Sequence, residues 1–515
     1  MKRFRKSYIS IGIILILIFS LVGCSNVKTD STQKNYEGRT YYEIFVRSFK
    51  DSNGDGVGDL NGITEKLDYL KDLGINGIWL MPICKSPSYH GYDVSDYYSI
   101  QPEYGTLDDL QNLIDEAHKR DIKVIMDFEI NHTSTQNQWF IDASTNKSSP
   151  YRDYYIWTDD MSKVTHSSAM GTKDWTKNGS NNELYYSIFD KGMPDLNMDN
   201  PNVVNEVERV AKFYLDKGID GFRLDAAKWI FDQKSKNVAF WKEFNQYIKS
   251  VNPNAITVGE VWDAPYNNIE YTDGLDSFFE FSTGPYIISR INGKSIGGFP
   301  DDYKSVQKMY TDNNPDFVVA SFLTNHDQVR IMNSLNDDFK MKEAALMNLT
   351  VPGTSFIYYG EETGMEGGKP DEQIREPFVW DDKDTSKNTS WELSTNDASK
   401  VAVSEQEQDK NSILNFYKDI LKVKNNNKSL RYGEMKSIDN NDSDVMVMER
   451  TYQGETSYVI INDNDSAMDV AVPAGKYQVL YSNEDKKGTI KIKDKTKLSS
   501  KEILILKKNW NKELK

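Results

Sequence analysis

From about residue 40 to 360 the chain alternates short apolar runs with amphipathic helical patterns, and this alternation limits the possible folds more than any other feature. A helix between two strands returns the chain to the same edge of a sheet, so repeated strand-helix units build a parallel sheet. Eight runs qualify as strands: Tyr41–Val46, Gly77–Met81, Lys123–Phe128, Gly221–Asp225, Ile256–Val261, Ser277–Phe281, Val318–Leu323 and Ser355–Tyr359. Helices lie between them. In Thr106–Arg120, Thr106 can cap the first turn, Asp109 completes a capping-box-like pair, and Leu110, Leu113, Ile114 and Ala117 share one face. Eight such units predict an α/β fold, a (β/α)8 TIM barrel over 38–131 and 202–430.

The third unit is irregular, because the stretch from Phe128 to the next helical pattern near Val203 is too long for a loop. Rich in Asn, Ser, Asp and Tyr, it predicts a small inserted domain over 132–201. After a helix at Ile413–Lys424, short runs such as Val445–Glu449, Ser457–Asn462, Tyr477–Ser482 and Ile503–Lys507 predict a C-terminal antiparallel β-sandwich over 431–515. A chain of 515 residues is long enough for both domains and a deep cleft.

At the N-terminus, Lys2, Arg3, Arg5 and Lys6 precede an apolar run from Ile9 to Val22 that is short for a membrane span and reads as a signal peptide over 1–23. Leu21-Val22-Gly23-Cys24 resembles the bacterial lipoprotein processing signal, in which the Cys becomes the lipid-modified first residue; an ordinary secretory signal is the alternative. The polar stretch 24–37 then reads as a tether. These features predict an exported monomer lipid-anchored to the outer face of a bacterial membrane, touching the membrane through that anchor only. Removing the signal and lipidating Cys24 leaves Cys84 alone, so no internal disulfide can form, and its apolar surroundings make it a buried small residue. The 78 acidic and 62 basic residues give a net charge of −16, which repels phosphate backbones and argues against nucleic acid as a partner.

Barrel enzymes carry their reactive groups at the C-terminal ends of strands. Four of the runs end in polar residues: Asp127 with Asn131 and His132, Arg223 with Asp225, Glu260, and His326 with Asp327. Breaking an acetal with retained configuration needs a carboxylate nucleophile and a carboxylic acid about 5 Å away. Asp225 and Glu260 suit those roles. Arg223, two residues before Asp225, shares its face of the strand and can keep it ionised, while burial or a nearby like charge can keep Glu260 protonated.

These strand ends resemble the motifs of the α-amylase family of glycoside hydrolases: Asp127-Phe128-Glu129-Ile130-Asn131-His132, Gly221-Phe222-Arg223-Leu224-Asp225-Ala226-Ala227-Lys228, Gly259-Glu260-Val261-Trp262 and Leu323-Thr324-Asn325-His326-Asp327. Met193-Pro194-Asp195-Leu196-Asn197 resembles the family's fifth motif. The resemblance implies a retaining hydrolase acting on an α-glucan or maltooligosaccharide, with Asp225 as nucleophile, Glu260 as acid/base and Asp327 holding ring hydroxyls. It also implies that Arg223, His132, His326 and Lys228 hold the substrate. Tyr92, in Gly91-Tyr92-Asp93, would stack on the reacting ring, with a core tyrosine as the alternative, and Arg375 would join the substrate site. Ala226, Lys228 and the Glu260-Val261-Trp262 run look more like enzymes cutting α-1,4 bonds. Met193 resembles a group between oligo-1,6-glucosidases and neopullulanases, so mixed α-1,4/α-1,6 action or transglycosylation is the enzymatic alternative. A non-catalytic sugar-binding protein is the remote one.

A Ca2+ site is expected in the loop Asp51, Asn53, Asp55, Val57 and Asp59, which places oxygen donors at alternate positions around glycines. The loop departs from an EF-hand, with Gly62 at the twelfth position, and resembles that of oligo-1,6-glucosidase-like relatives; a solvated acidic turn is the alternative. The family's interdomain calcium would use Asn131 and a His after Lys228, where this chain has Trp229.

Overall fold

Each of the eight runs carries a strand of one parallel sheet: β1 (Thr40–Ile44), β2 (Gly77–Leu80), β3 (Lys123–Phe128), β4 (Gly221–Leu224), β5 (Ile256–Gly259), β6 (Ser277–Phe278), β7 (Ala320–Ser321) and β8 (Thr354–Tyr358). The structure is a computed structural model that describes residues 34–165 and 174–509. The apolar N-terminal run and Cys24 lie outside the described residues. The strands follow the order β6-β5-β4-β3-β2-β1-β8-β7, and a bridge between Phe279 and Ala320 joins the two ends into a nearly closed barrel. β6 and β7 are shorter than their apolar runs. At this seam the Phe279, Phe281 and Phe322 rings pack edge to face inside the barrel.

Alternation along each strand sorts side chains into two cores. Tyr41, Trp79, Ile125, Val258 and Phe356 form the cluster inside the barrel. Their neighbours Tyr42, Ile78, Val124, Met126 and Ile357 instead pack with the surrounding helices. The helix Leu107–Lys119 shows why these outer elements form where they do. Thr106 and Asp109 complete the reciprocal capping box, and Leu110, Leu113, Ile114 and Ala117 are buried. The same two-residue step that fills the interior with Tyr41 and Ile125 puts Glu43 and Asp127 one layer higher, at the C-terminal mouth.

Between β3 and the helix Pro201–Asp216, the chain forms a helix, Gln138–Thr145, and a three-stranded sheet with Leu184–Tyr186 between Trp157–Thr158 and Trp175–Lys177. After the helix Ile413–Asn425 comes a six-stranded antiparallel sheet and a separate two-stranded ribbon, Met468–Ala471 with Lys495–Leu498. This is a lopsided form of the expected sandwich. Val445, Val447, Ile460, Leu504 and Leu506 face Val470 and Leu498 of the ribbon. The intervening Met446, Met448, Val459, Ile461, Ile503 and Ile505 belong to the barrel's outer core. Both faces are therefore buried, which is why these strands read as unbroken apolar runs.

Shared packing predicts shared unfolding. Ile461→Ala is expected to cost about 2–5 kcal/mol. Nine of the ten tryptophans, Trp79 through Trp391, precede the C-terminal sheet, and only Trp510 follows it. Their fluorescence in a urea titration should follow the loss, and an unmoved fluorescence transition would refute the coupling.

Candidate active site

The charged layer above the barrel's apolar interior is organised by one buried cation. Arg223 leaves β4 on its inward face, 1 % exposed, and its Nη1 donates to Asp127 Oδ1 (2.7 Å) and Asp225 Oδ1 (2.5 Å). Its Nη2 lies 3.0 Å from Glu260 Oε2. That same Glu260 oxygen accepts the Ala226 backbone N–H at 2.9 Å. Ala226 adopts a left-handed conformation, φ +47°, that an L-residue enters at a cost. The turn after the Asp225 strand thus aims a backbone dipole at the carboxyl on the neighbouring strand.

Three carboxyls around one guanidinium in a dry site cannot all hold a negative charge easily. Burial pushes Glu260 up to about 7, with Arg223 opposing and the Asp225 and Asp327 charges reinforcing the rise. Asp127 is likewise raised by burial, to about 6, against the pull of Arg223. One carboxyl of the cluster can therefore carry a proton near neutral pH, as acid/base chemistry requires.

A second tier supports this one. Tyr92 donates to Asp127 Oδ2 (3.2 Å), its oxygen lies 2.6 Å from His326 Nε2, and the two rings stack at 5.6 Å. His326 Nε2 is also 3.1 Å from Asp327 Oδ2, and Nδ1 is 2.5 Å from Glu43 Oε1. Burial works against a charged imidazole, but Asp327 and Glu43 push His326 up to about 9. Burial likewise opposes ionisation of Asp327, yet His326 and Arg375 hold its carboxyl well below the usual carboxylate range. Arg375 reaches Asp327 Oδ1 (2.9 Å) and Asp371 Oδ2 (3.4 Å), and its Nε donates to the His326 carbonyl. His132 Nε2 lies 3.1 Å from the Tyr92 carbonyl, and burial lowers its proton affinity.

Asp225, Glu260, Asp327, Tyr92, His132, Arg223, His326 and Arg375 thus converge on one mouth. Lys228 stands to one side, paired with Asp263 at 2.7 Å. Glu43 and Asp371 escaped the sequence reading. Glu43 sits inside the run Tyr41–Val46 rather than at its end, though its inward parity was available as a signal.

The Asp51–Asp59 loop lies apart from this cluster. Its carboxylates are turned onto backbone N–H groups: Asp51 accepts from Asn53, Gly54 and Gly56, and Asp55 from Val57. Asp59 caps the helix Leu60–Glu65 through Gly62 N (2.7 Å). Gly54 and Gly56 supply the left-handed turns, φ +85° and +90°. Among the described residues, no three Asp, Glu, His or Cys side chains group in a way that could hold a metal. The donor types, three carboxylates, an amide and a carbonyl, do fit a hard cation. At the interdomain position Asn131 Nδ2 donates directly to the Trp229 carbonyl at 2.8 Å.

A nearly closed parallel barrel with a carboxyl cluster at its C-terminal mouth and an inserted domain after the third strand defines a barrel glycoside hydrolase. The chain belongs to the alpha-amylase family, whose catalytic domain matches residues 43–433. It is 44 % identical to "Alpha-amylase 3" of Dictyoglomus thermophilum over 87 % of this chain and 89 % of that one. It is 33 % identical to an oligo-1,6-glucosidase of Parageobacillus thermoglucosidasius, over 82 % and 89 %. A crystal structure of an alpha-amylase from H. orenii superposes with a TM-score of 0.85 at 41 % identity, over 91 % of this chain and 99 % of that one.

The Glu43–His326 contact predicts a pH-dependent stability. Because His326 binds its proton more tightly when folded, this stabilisation is whole below pH 6.5 and is lost as pH rises through about 9. Glu43→Gln should cost about 1.5–3 kcal/mol at pH 6. The gap from wild type in denaturant midpoint should then shrink as the solution is taken to alkaline pH. A constant gap would show that the pair holds no shared proton.

Proposed function

We propose that this protein is a retaining glycoside hydrolase cleaving α-1,4-glucosidic bonds of starch, maltodextrins or maltooligosaccharides. The observation that carries the reading is the Arg223 cluster, in which Asp225 and Glu260 contact the same guanidinium and burial raises Glu260 to about 7. In the first step a carboxylate oxygen of Asp225 attacks the anomeric carbon while Glu260 gives its proton to the departing glycosidic oxygen. The bond to that oxygen breaks, and the leaving sugar departs with a free hydroxyl. In the second, ionised Glu260 takes a proton from water, whose oxygen attacks the same carbon and frees Asp225. Two inversions return the original configuration.

Asp327, fixed by His326 and Arg375, grips hydroxyls of the reacting ring, and His132 and Tyr92 complete that pocket. The preference for α-1,4 bonds rests on Ala226, Lys228 and the Glu260-Val261-Trp262 run, and on the higher identity to the relative named an alpha-amylase than to the oligo-1,6-glucosidase. Met193 supports the alternative of mixed α-1,4/α-1,6 hydrolysis or transglycosylation. The protein acts as an exported monomer held to the membrane by lipid on Cys24. Asp51, Asn53, Asp55, the Val57 carbonyl and Asp59 would hold Ca2+, which would brace the loop after β1 rather than take part in bond cleavage.

Products from linear maltooligosaccharides, isomaltooligosaccharides and pullulan, followed in parallel, test the specificity. Internal cuts in the linear α-1,4 substrates alone are expected; glucose from isomaltooligosaccharides or panose from pullulan would select the mixed alternative. Asp225→Asn should lower kcat by roughly 10⁴-fold or more while the protein stays folded. Full activity in that variant would end the mechanism. Adding Ca2+ to chelator-treated protein should raise Tm by ligand linkage, and Asp51→Ala should abolish the rise.

A further inference from the structure

The segment that follows Asp327 and the loop that presents Arg375 meet at one buried residue. Arg330 is 2 % exposed, and its donors reach three backbone carbonyls. Its backbone N–H donates to Gly367 (2.9 Å), Nε to Ile374 (2.8 Å) and Nη1 to Tyr359 (2.6 Å). Gly367 and Ile374 stand at the two ends of the loop, and Tyr359 directly follows β8. One residue thus pins both ends of the loop to the barrel wall. The ends also lie against each other, because a Cβ on Gly367 would stand 2.3 Å from the Gln373 carbonyl oxygen and 3.2 Å from Arg330 Cδ.

Stability alone is a poor reason for a guanidinium at this place. Its partners at hydrogen-bond distance are neutral carbonyls, and the rings of Tyr358 and Tyr359 have their centres 4.3 and 4.8 Å from Cζ. Nη2 is buried with no hydrogen-bond partner. A cation taken out of water and met by neutral groups recovers only part of its desolvation cost, so a well-packed apolar residue of similar volume would serve the fold as well. What the guanidinium adds is a planar fork whose donors point in fixed, divergent directions. Here those directions are β8 and the residue before Arg375.

The place of Arg330 in the chain gives that fork its use. Arg330 follows Asp327 by three residues, and Ile374 immediately precedes Arg375. The 2.9 Å contact between Arg375 and Asp327 therefore closes a small ring, which runs from Asp327 along the chain to Arg330, across its Nε hydrogen bond to the Ile374 carbonyl, and on to Arg375. Slack in the Arg330 arm would move the Arg375 guanidinium against the carboxylate it holds. A misplacement of about 1 Å in a group that orients substrate can cost roughly 10²-fold in rate. We propose that Arg330 is a positioning residue for bond cleavage, holding Arg375 where it fixes Asp327 on the reacting ring. The proposal rests on the retaining hydrolase reading above, in which Asp327 grips hydroxyls of that ring.

The test is a double-mutant cycle read on maltohexaose. Arg330→Lys keeps the charge and loses the fork, so kcat should fall roughly tenfold while KM changes by less than about twofold, because a grip on the distorted ring acts mainly in the transition state. In an Arg375→Ala background the same substitution should lower kcat by less than about twofold, since the group that Arg330 positions is gone. A residue that only supports the fold would lower Tm and leave kcat unchanged, or would lower kcat by the same factor in both backgrounds. Either result overturns the proposal. If Arg330→Lys does not fold, Tyr358→Phe decides, because it removes only the hydroxyl that donates to the same Ile374 carbonyl at 3.2 Å. It should lower kcat roughly two- to threefold with Arg375 present and not in Arg375→Ala, and equal factors in the two backgrounds would again overturn the proposal. Failure of the wild type to cleave maltohexaose would instead defeat the hydrolase reading, so the two failures are distinct.

Discussion

The site depends on the Arg223 guanidinium and its contacts with Asp127, Asp225 and Glu260. A charge pair at 3 Å attracts by on the order of 5 kcal/mol at an effective dielectric of 20, and that attraction offsets the cost of taking the charges out of water. One positive charge nevertheless cannot neutralise three negative ones. The protein settles the imbalance by protonation, with Glu260 raised by burial to about 7 and Asp127 to about 6. A proton held near neutral pH is therefore a consequence of crowding carboxyls in a place where water screens them poorly. An Arg223→Lys change would keep the charge but lose the planar fork that reaches three partners.

The interior below makes that dryness possible. Tyr41, Trp79, Ile125, Val258 and Phe356 fill the barrel and keep solvent from the cluster's underside. On one side, the stacked rings of Tyr92 and His326 wall it. Parity along the strands puts both layers in place with no special device. A strand whose inward position holds Ile125 presents Asp127 two residues later, and one whose inward position holds Tyr41 presents Glu43. The catalytic layer is thus an extension of the packing pattern, and register errors that would move one would move both.

Much of this was legible before the structure. The barrel was, because eight apolar runs separated by helical patterns admit few topologies, and the main carboxyls were, because they terminate those runs. Glu43 was not, since a charge inside a strand reads as noise until its partner on β7's trailing loop, His326, is seen beside it. The C-terminal sheet was recognised as antiparallel, but its attachment was hidden. Met446 and Val447 look alike in sequence, while one faces the barrel and the other the ribbon. At the Asp51–Asp59 loop the alternate oxygens that suggest a cation also form a chain of backbone turns, so the sequence pattern alone cannot separate the two uses.

The two sides of the mouth differ in how freely their charges can rearrange. On the Asp327 side, Arg375 and His326 are almost completely buried and tied to carbonyl or carboxylate groups, so that wall is pre-organised and rejects changes in ring geometry. Across the site, the Lys228–Asp263 pair is partly exposed and screened, and such pairs contribute about 0–1 kcal/mol. A pair held that weakly can exchange its partner for a hydroxyl at little cost, whereas the buried pairs cannot. Rigidity on the Asp327 side and exchangeable contacts on the Lys228 side follow from burial alone. Substitution of a buried contact should therefore cost more stability than substitution of the exposed pair.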